Sequence, residues 1–142
     1  MKNSKILCAL AEQYNLLAVY VFGSHADEVA ARVRGDANVE VTHPDSDVDI
    51  GVLPAHGHRL TAHDRVRLML ALEDALDVAR VDLVILPEAP AYLALDVVRG
   101  KLLYTTDPDA EAEYQLYVLR RAGDLATFER ERLRLIMAGE AI

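Results

Sequence analysis

One short apolar run, Leu16-Leu-Ala-Val-Tyr-Val-Phe22, does most to limit what this chain can fold into. It is far below the roughly 20 residues that a membrane-crossing helix needs. Its β-branched and aromatic side chains and its stop at Gly23 mark a buried strand over Leu17–Phe22. Before it, Ile6, Leu7, Leu10 and Ala11 form the apolar stripe of a helix over Ser4–Tyr14, broken by Asn15. After it, Ser24–Val33 has helical character. Gly35–Pro44 shows no period and is rich in turn formers, so a loop is expected there.

Polar and apolar residues then alternate through Asp47-Val-Asp-Ile-Gly-Val-Leu53, the pattern of a strand with one face partly exposed. Ala55–His58 is a loop. Thr61 and Asp64 resemble a capping box opening a helix to about Val78, with Ala62, Val66, Met69, Leu72 and Leu76 on the expected buried face. Val81–Leu86 alternates again and ends at Pro87. A helix over Pro90–Arg99 and a strand over Lys101–Thr105 follow. Asp107-Pro108 supplies an N-cap and a proline for a final helix. Its stripe is Tyr114, Val118, Ala122, Leu125, Phe128 and Leu135, with Gly123 a possible bend and Arg130, Arg132 and Arg134 toward its end. Tyr114 and Tyr117 are read as core. Alternating strands and helices make the fold class α/β (α+β), a mixed sheet flanked by helices with a C-terminal helix.

Composition narrows the functional classes. A chain of 142 residues, 52% hydrophobic and 27% charged, favours one globular domain. The expected division is a core of about 1–105 and a helical segment of about 107–139. A net charge of −8 argues against stable nucleic-acid binding, which needs a basic face. Cys8, the single cysteine, excludes a disulfide framework or cysteine zinc site and fits a reducing compartment; no secretory or membrane segment is read, so a cytoplasmic location is expected.

Asp47 and Asp49 are the most informative residues. Two apart on a strand, they emerge on one face, where mutual repulsion calls for a hard cation such as Mg²⁺. A bare Asp-x-Asp is also what a solvated strand face shows. Asp82 alternates in the same way, so three carboxylates converge if its strand lies beside the first. Gly23-Ser24, between a strand and a helix, offers backbone N–H groups and a hydroxyl to phosphate oxygens. Together these parts describe a phosphate cradle facing a two-metal site for attack at a nucleotide phosphorus. Asp45 is read as a loop acid, His25 as a helix-start residue, and His56 and His58 as solvated loop residues.

Val19-Tyr-Val-Phe-Gly-Ser24, Pro44-Asp-Ser-Asp-Val-Asp-Ile50 and the Asp82 strand together resemble the minimal nucleotidyltransferases (MNT) of the DNA polymerase β superfamily. The resemblance implies a polymerase β-like nucleotidyltransferase fold. It implies that Asp47, Asp49 and Asp82 are catalytic and hold two Mg²⁺ ions, and that Gly23 and Ser24 contact the phosphates of ATP. His25 stands where the family usually has arginine. Arg32-Val-Arg-Gly35 looks like the family's Arg-x-Arg-Gly displaced by an insertion over 25–44, leaving Arg32 and Arg34 as candidate phosphate contacts. With one helix beyond the core, a drug-sized acceptor pocket is not expected within the chain. MNT proteins of this size resemble antitoxins of HEPN–MNT toxin–antitoxin pairs, which implies AMP transfer from ATP to a tyrosine hydroxyl on a HEPN ribonuclease toxin. A small-molecule (aminoglycoside-like) nucleotidyltransferase and an antitoxin acting by contact alone are the other readings.

Overall fold

The computed structural model describes residues 2–35 and 47–139. Asp45 and most of the expected Gly35–Pro44 loop lie outside these residues. In chain order the elements are α1 (Lys2–Tyr14), β1 (Leu16–Phe22), α2 (Ala26–Val33), β2 (Val48–Pro54), α3 (Ala62–Leu76) and β3 (Val81–Ile85). A 3₁₀ turn over Leu86–Glu88 leads to α4 (Ala91–Val98), β4 (Lys101–Thr105) and α5 (Pro108–Met137). The strands form one mixed sheet in the order β3-β2-β1-β4. β1 runs antiparallel to β2 and β4, while β2 and β3 run parallel.

Strand alternation divides the interior in two. Val19 and Val21 of β1 and Val48, Ile50 and Val52 of β2 face a core built with α1, α2 and α3. Ala18, Tyr20 and Phe22 face the opposite side, where Ala94 and Val97 of α4 and Val118 of α5 cover them. A Cβ on Gly51 would collide with the Val97 side chain, so this glycine lets α4 lie directly on β2. Tyr20, fully buried, donates its phenolic hydrogen to Glu111 Oε1 at 2.6 Å, and Gln115 donates to the same oxygen. This buried link fixes the start of α5 to the central strand.

The Thr61–Asp64 capping box forms in both directions, at 3.0 and 3.2 Å. Asp107 caps α5 by accepting the Ala110 N–H at 3.1 Å, and the helix continues unbroken through Gly123. Other expectations shift. In α3 the buried face is Leu68, Leu72, Ala75 and Leu76, whereas Ala62 is exposed and Val66 is 55% exposed. Apolar residues surround much of this helix, and packing against α1 and β3 selects a stripe that local spacing leaves ambiguous. Phe128, expected on the buried stripe of α5, is 65% exposed, and Tyr117 is exposed as well. The buried positions of α5 end at Ala122; Leu125 and Ala126 are half-buried, Tyr92 of α4 donates to Glu129 at 2.9 Å, and the remaining turns are largely exposed. Among the described residues, no helix is long and apolar enough to cross a membrane.

Candidate active site

The site forms at the end of the sheet where β1 finishes and β2 and β3 begin. β2 starts at Val48, so Asp47 stands just outside the strand rather than within it. Val48, Ile50 and Val52 are completely buried on one face, which turns Asp49 to the other, partly open face. The parallel register sets Asp49 directly beside Asp82. Asp82 is exposed between buried Val81 and half-buried Leu83. The expected adjacency of the two acidic strands is therefore present.

Electrostatics record how close the acids are. Burial, followed by the charges of Asp82 and then Asp47, pushes the Asp49 carboxyl above its ordinary range, and His25 opposes the shift. None of the ion pairs among the described residues compensates Asp47, Asp49 or Asp82. Folding has thus concentrated carboxylates that gain from an added cation.

Gly23 borders this cluster on the β1 side. It has φ +78°, and a Cβ built there would lie 2.5 Å from Asp49 Oδ2. Only glycine combines that backbone conformation with room for the carboxylate. Ser24 is exposed in the turn, and α2 begins two residues later, at Ala26. The turn between β1 and α2 therefore lies open beside the acids, with Ser24 outside the helix that the sequence had it opening.

His25 is 6% exposed, and its Nδ1 lies 3.3 Å from Glu28 Oε2. Sequence pattern marked it as a helix-start residue, which it is, but gave no sign that it is buried near Asp49. Arg32 is committed elsewhere: its guanidinium donates to the carbonyls of Leu76 and Asp77 at 2.7 and 3.3 Å, tying α2 to the end of α3. Arg34 is exposed just past α2.

The donor set suits magnesium, being all carboxylate oxygen beside a turn open to phosphate. Among the described residues, no three His, Cys, Asp or Glu side chains are drawn into a ready-made metal cage. Magnesium does not require one, because it commonly takes one or two carboxylates and completes its shell with water and substrate phosphates.

A hollow of about 730 Å³ does exist, lined by Leu17, Pro54, His56, Arg59, Glu113 and Tyr114 among others. It opens at the opposite end of β1, roughly 17 Å from the acids at 3.3 Å per strand residue. The chain thus has a larger concavity than its length suggested, but not one that the carboxylates reach. His56 and His58 are exposed on its loop rim.

The family described as "Polymerase beta, Nucleotidyltransferase" matches residues 4–109. Comparison with curated proteins finds no match. Among solved structures, the chain is similar to a chain of the toxin–antitoxin MntA–HepT at 24% identity, covering 95% of this chain and 97% of that one, with a TM-score of 0.63. It is 28% identical to a chain of a toxin–antitoxin solved with AMP-PNP, covering 98% and 99%, with a TM-score of 0.59. A third similarity, at 25% identity, 98% and 97% coverage and a TM-score of 0.58, is to the tri-AMPylated Shewanella oneidensis HEPN toxin in complex with MNT antitoxin. The family match spans more than half of the chain, and the fold carries the carboxylates and the glycine turn at one end of the sheet: the protein belongs to the polymerase beta nucleotidyltransferase family.

Proposed function

We propose that this nucleotidyltransferase is the antitoxin of a HEPN–MNT pair, transferring AMP from ATP to a hydroxyl, that of a tyrosine, on a HEPN ribonuclease toxin. The observation that carries the reading is the in-register pair Asp49 and Asp82 lying against the Gly23 turn. Similarity to toxin–antitoxin structures, one holding AMP-PNP and one an AMPylated HEPN toxin, supports the choice of nucleotide and acceptor. The exposed second half of α5, with Phe128, Leu133, Ile136 and Met137, supplies a surface for the partner.

In this reading Gly23 and Ser24 hold the triphosphate through the turn's N–H groups and the serine hydroxyl. Asp47, Asp49 and Asp82 would hold two magnesium ions, which when bound offset the charge of the phosphate oxygens and the departing pyrophosphate. Asp82 faces the acceptor and takes the proton of its hydroxyl. The hydroxyl oxygen bonds to the α-phosphorus, the bond from that phosphorus to the α–β bridging oxygen breaks, and pyrophosphate leaves. The protein acts in the cytoplasm, where ATP and the toxin are both at hand.

The test is to incubate the toxin with this protein, ATP and Mg²⁺ and to weigh the toxin intact. A gain of one or more AMP units is expected, abolished by Asp47→Asn with Asp49→Asn. No gain, or a gain that survives the double substitution, refutes the catalytic reading. Neutralisation without any gain would point to action by contact alone.

A further inference from the structure

Resting on this AMP-transfer reading, we infer that Arg80 is an acceptor-side specificity residue whose guanidinium pairs with an anionic group next to the hydroxyl that receives AMP. The β2–β3 ladder opens with the pair Val48 and Val81, and the Val48 N–H donates to the Arg80 carbonyl at 2.9 Å, which holds the Arg80 backbone against the start of β2. Arg80 and Asp47 are the residues that immediately precede this first pair, one before each strand. Val81 is buried between exposed Arg80 and exposed Asp82, so alternation puts the guanidinium and the Asp82 carboxylate on one face.

The strand order determines which reactant this face meets. β2 separates β3 from β1, so the Gly23–Ser24 turn lies on one flank of the acids and Arg80 on the other. Phosphates held by the turn leave the β3 flank to the acceptor. An acceptor carrying negative charge near its hydroxyl would be repelled by Asp47, Asp49 and Asp82. A cation on that flank offsets the repulsion, and an arginine fork matches a carboxylate or a phosphodiester in two hydrogen bonds.

Arg80 is available for this role. Among the described residues its guanidinium makes no hydrogen bond or ion pair, unlike Arg32, held by two carbonyls, or Arg65, paired with Glu88. The anion has two sources: an acidic side chain of the acceptor protein, or the phosphodiester of a nucleotide transferred in an earlier round.

The experiment compares wild type, Arg80→Ala and Arg80→Lys with the HEPN partner as acceptor. It measures AMP-PNP affinity by calorimetry and each successive mass gain over time. Arg80→Ala should leave AMP-PNP affinity unchanged and lower kcat/KM for the acceptor roughly ten- to hundred-fold through KM, the scale of a charged hydrogen bond, with partial recovery in Arg80→Lys. Slowing of the first addition identifies an acidic side chain; slowing only of later additions identifies the phosphodiester. Weakened AMP-PNP binding with an unchanged acceptor KM, or no slowing at any addition, overturns the inference. Failure of the wild type to transfer AMP would refute the underlying reading as well, whereas active wild type with an indistinguishable Arg80→Ala refutes this inference alone.

Discussion

Replacing Gly23 by alanine tests whether the turn at the end of β1 exists to admit the Asp49 carboxylate. Two costs are separable. The positive φ of +78° penalises any L side chain by about 1–2 kcal/mol. In addition, the new Cβ would sit 2.5 Å from Asp49 Oδ2, so the carboxylate or the turn must move by close to an ångström to restore ordinary contact. A shift of about 1 Å in a reacting constellation costs on the order of a hundred-fold in rate. Gly57 is the matched control: its φ is +83°, but a Cβ there meets nothing within 4 Å. Gly57→Ala should lose a similar 1–2 kcal/mol or so in urea denaturation and keep its transfer rate. Gly23→Ala should lose at least that stability and about a hundred-fold in AMP transfer, measured by intact mass at a temperature where both variants remain folded. Equal transfer rates in the two alanine variants would refute the argument that Gly23 makes room for Asp49.

Other outcomes follow from the packing. Tyr20→Phe removes the hydrogen bond to buried Glu111 and should cost about 1–3 kcal/mol by chemical denaturation. Burial and Glu111 raise the Tyr20 phenol above its ordinary range, so the folded state holds that proton more tightly than the unfolded state. Its contribution is complete below about pH 10 and is lost as pH rises beyond that; Tyr20→Phe should flatten this alkaline decline. Gly51→Ala should destabilise by roughly 1–3 kcal/mol through its collision with Val97, and Val97→Ala in the same chain should recover part of the loss. An additive double mutant would show that α4 is not held close by this contact. Thr61→Ala should cost about 0.5–2 kcal/mol by removing one side of the α3 capping box, read as a lower thermal midpoint.

What could be read from the sequence depended on how local the determining physics is. The Leu17–Phe22 strand is apolar at every position and closes on glycine, so neighbouring residues alone specify it. The same holds for the Thr61–Asp64 box and the Asp107 cap, where each partner lies within one turn. Spacing specifies the buried face of α3 only in part: Leu72 and Leu76 lie on it as expected, but Val66 and Leu68 offer competing stripes, and only packing against α1 and β3 chooses between them. For the site, alternation identified Asp49 and Asp82 as sharing the outward side of their strands. That they are neighbours depends on strand order, which no local pattern encodes. His25 and Arg80 were harder still. One owes its importance to burial and the other to its place at the end of a ladder, and neither leaves a mark on spacing.

The parallel pairing of β2 with β3 has a consequence for how the protein comes into being. The β1–β2 and β2–β3 pairings both close connections of about 25 residues, but the parallel pair cannot form as a hairpin, and β3 reaches β2 only after the chain has passed through all of α3. Neither pairing is local, and β4 spans a longer separation still when it returns to β1. The same step that docks β3 brings the Asp82 carboxylate against Asp49, a like-charge meeting that further disfavours early pairing. A nascent chain emerging through β2 therefore carries only half of the carboxylate pair. The Asp49–Asp82 pair then exists only once β3 has docked, which ties the completion of the site to a non-local contact.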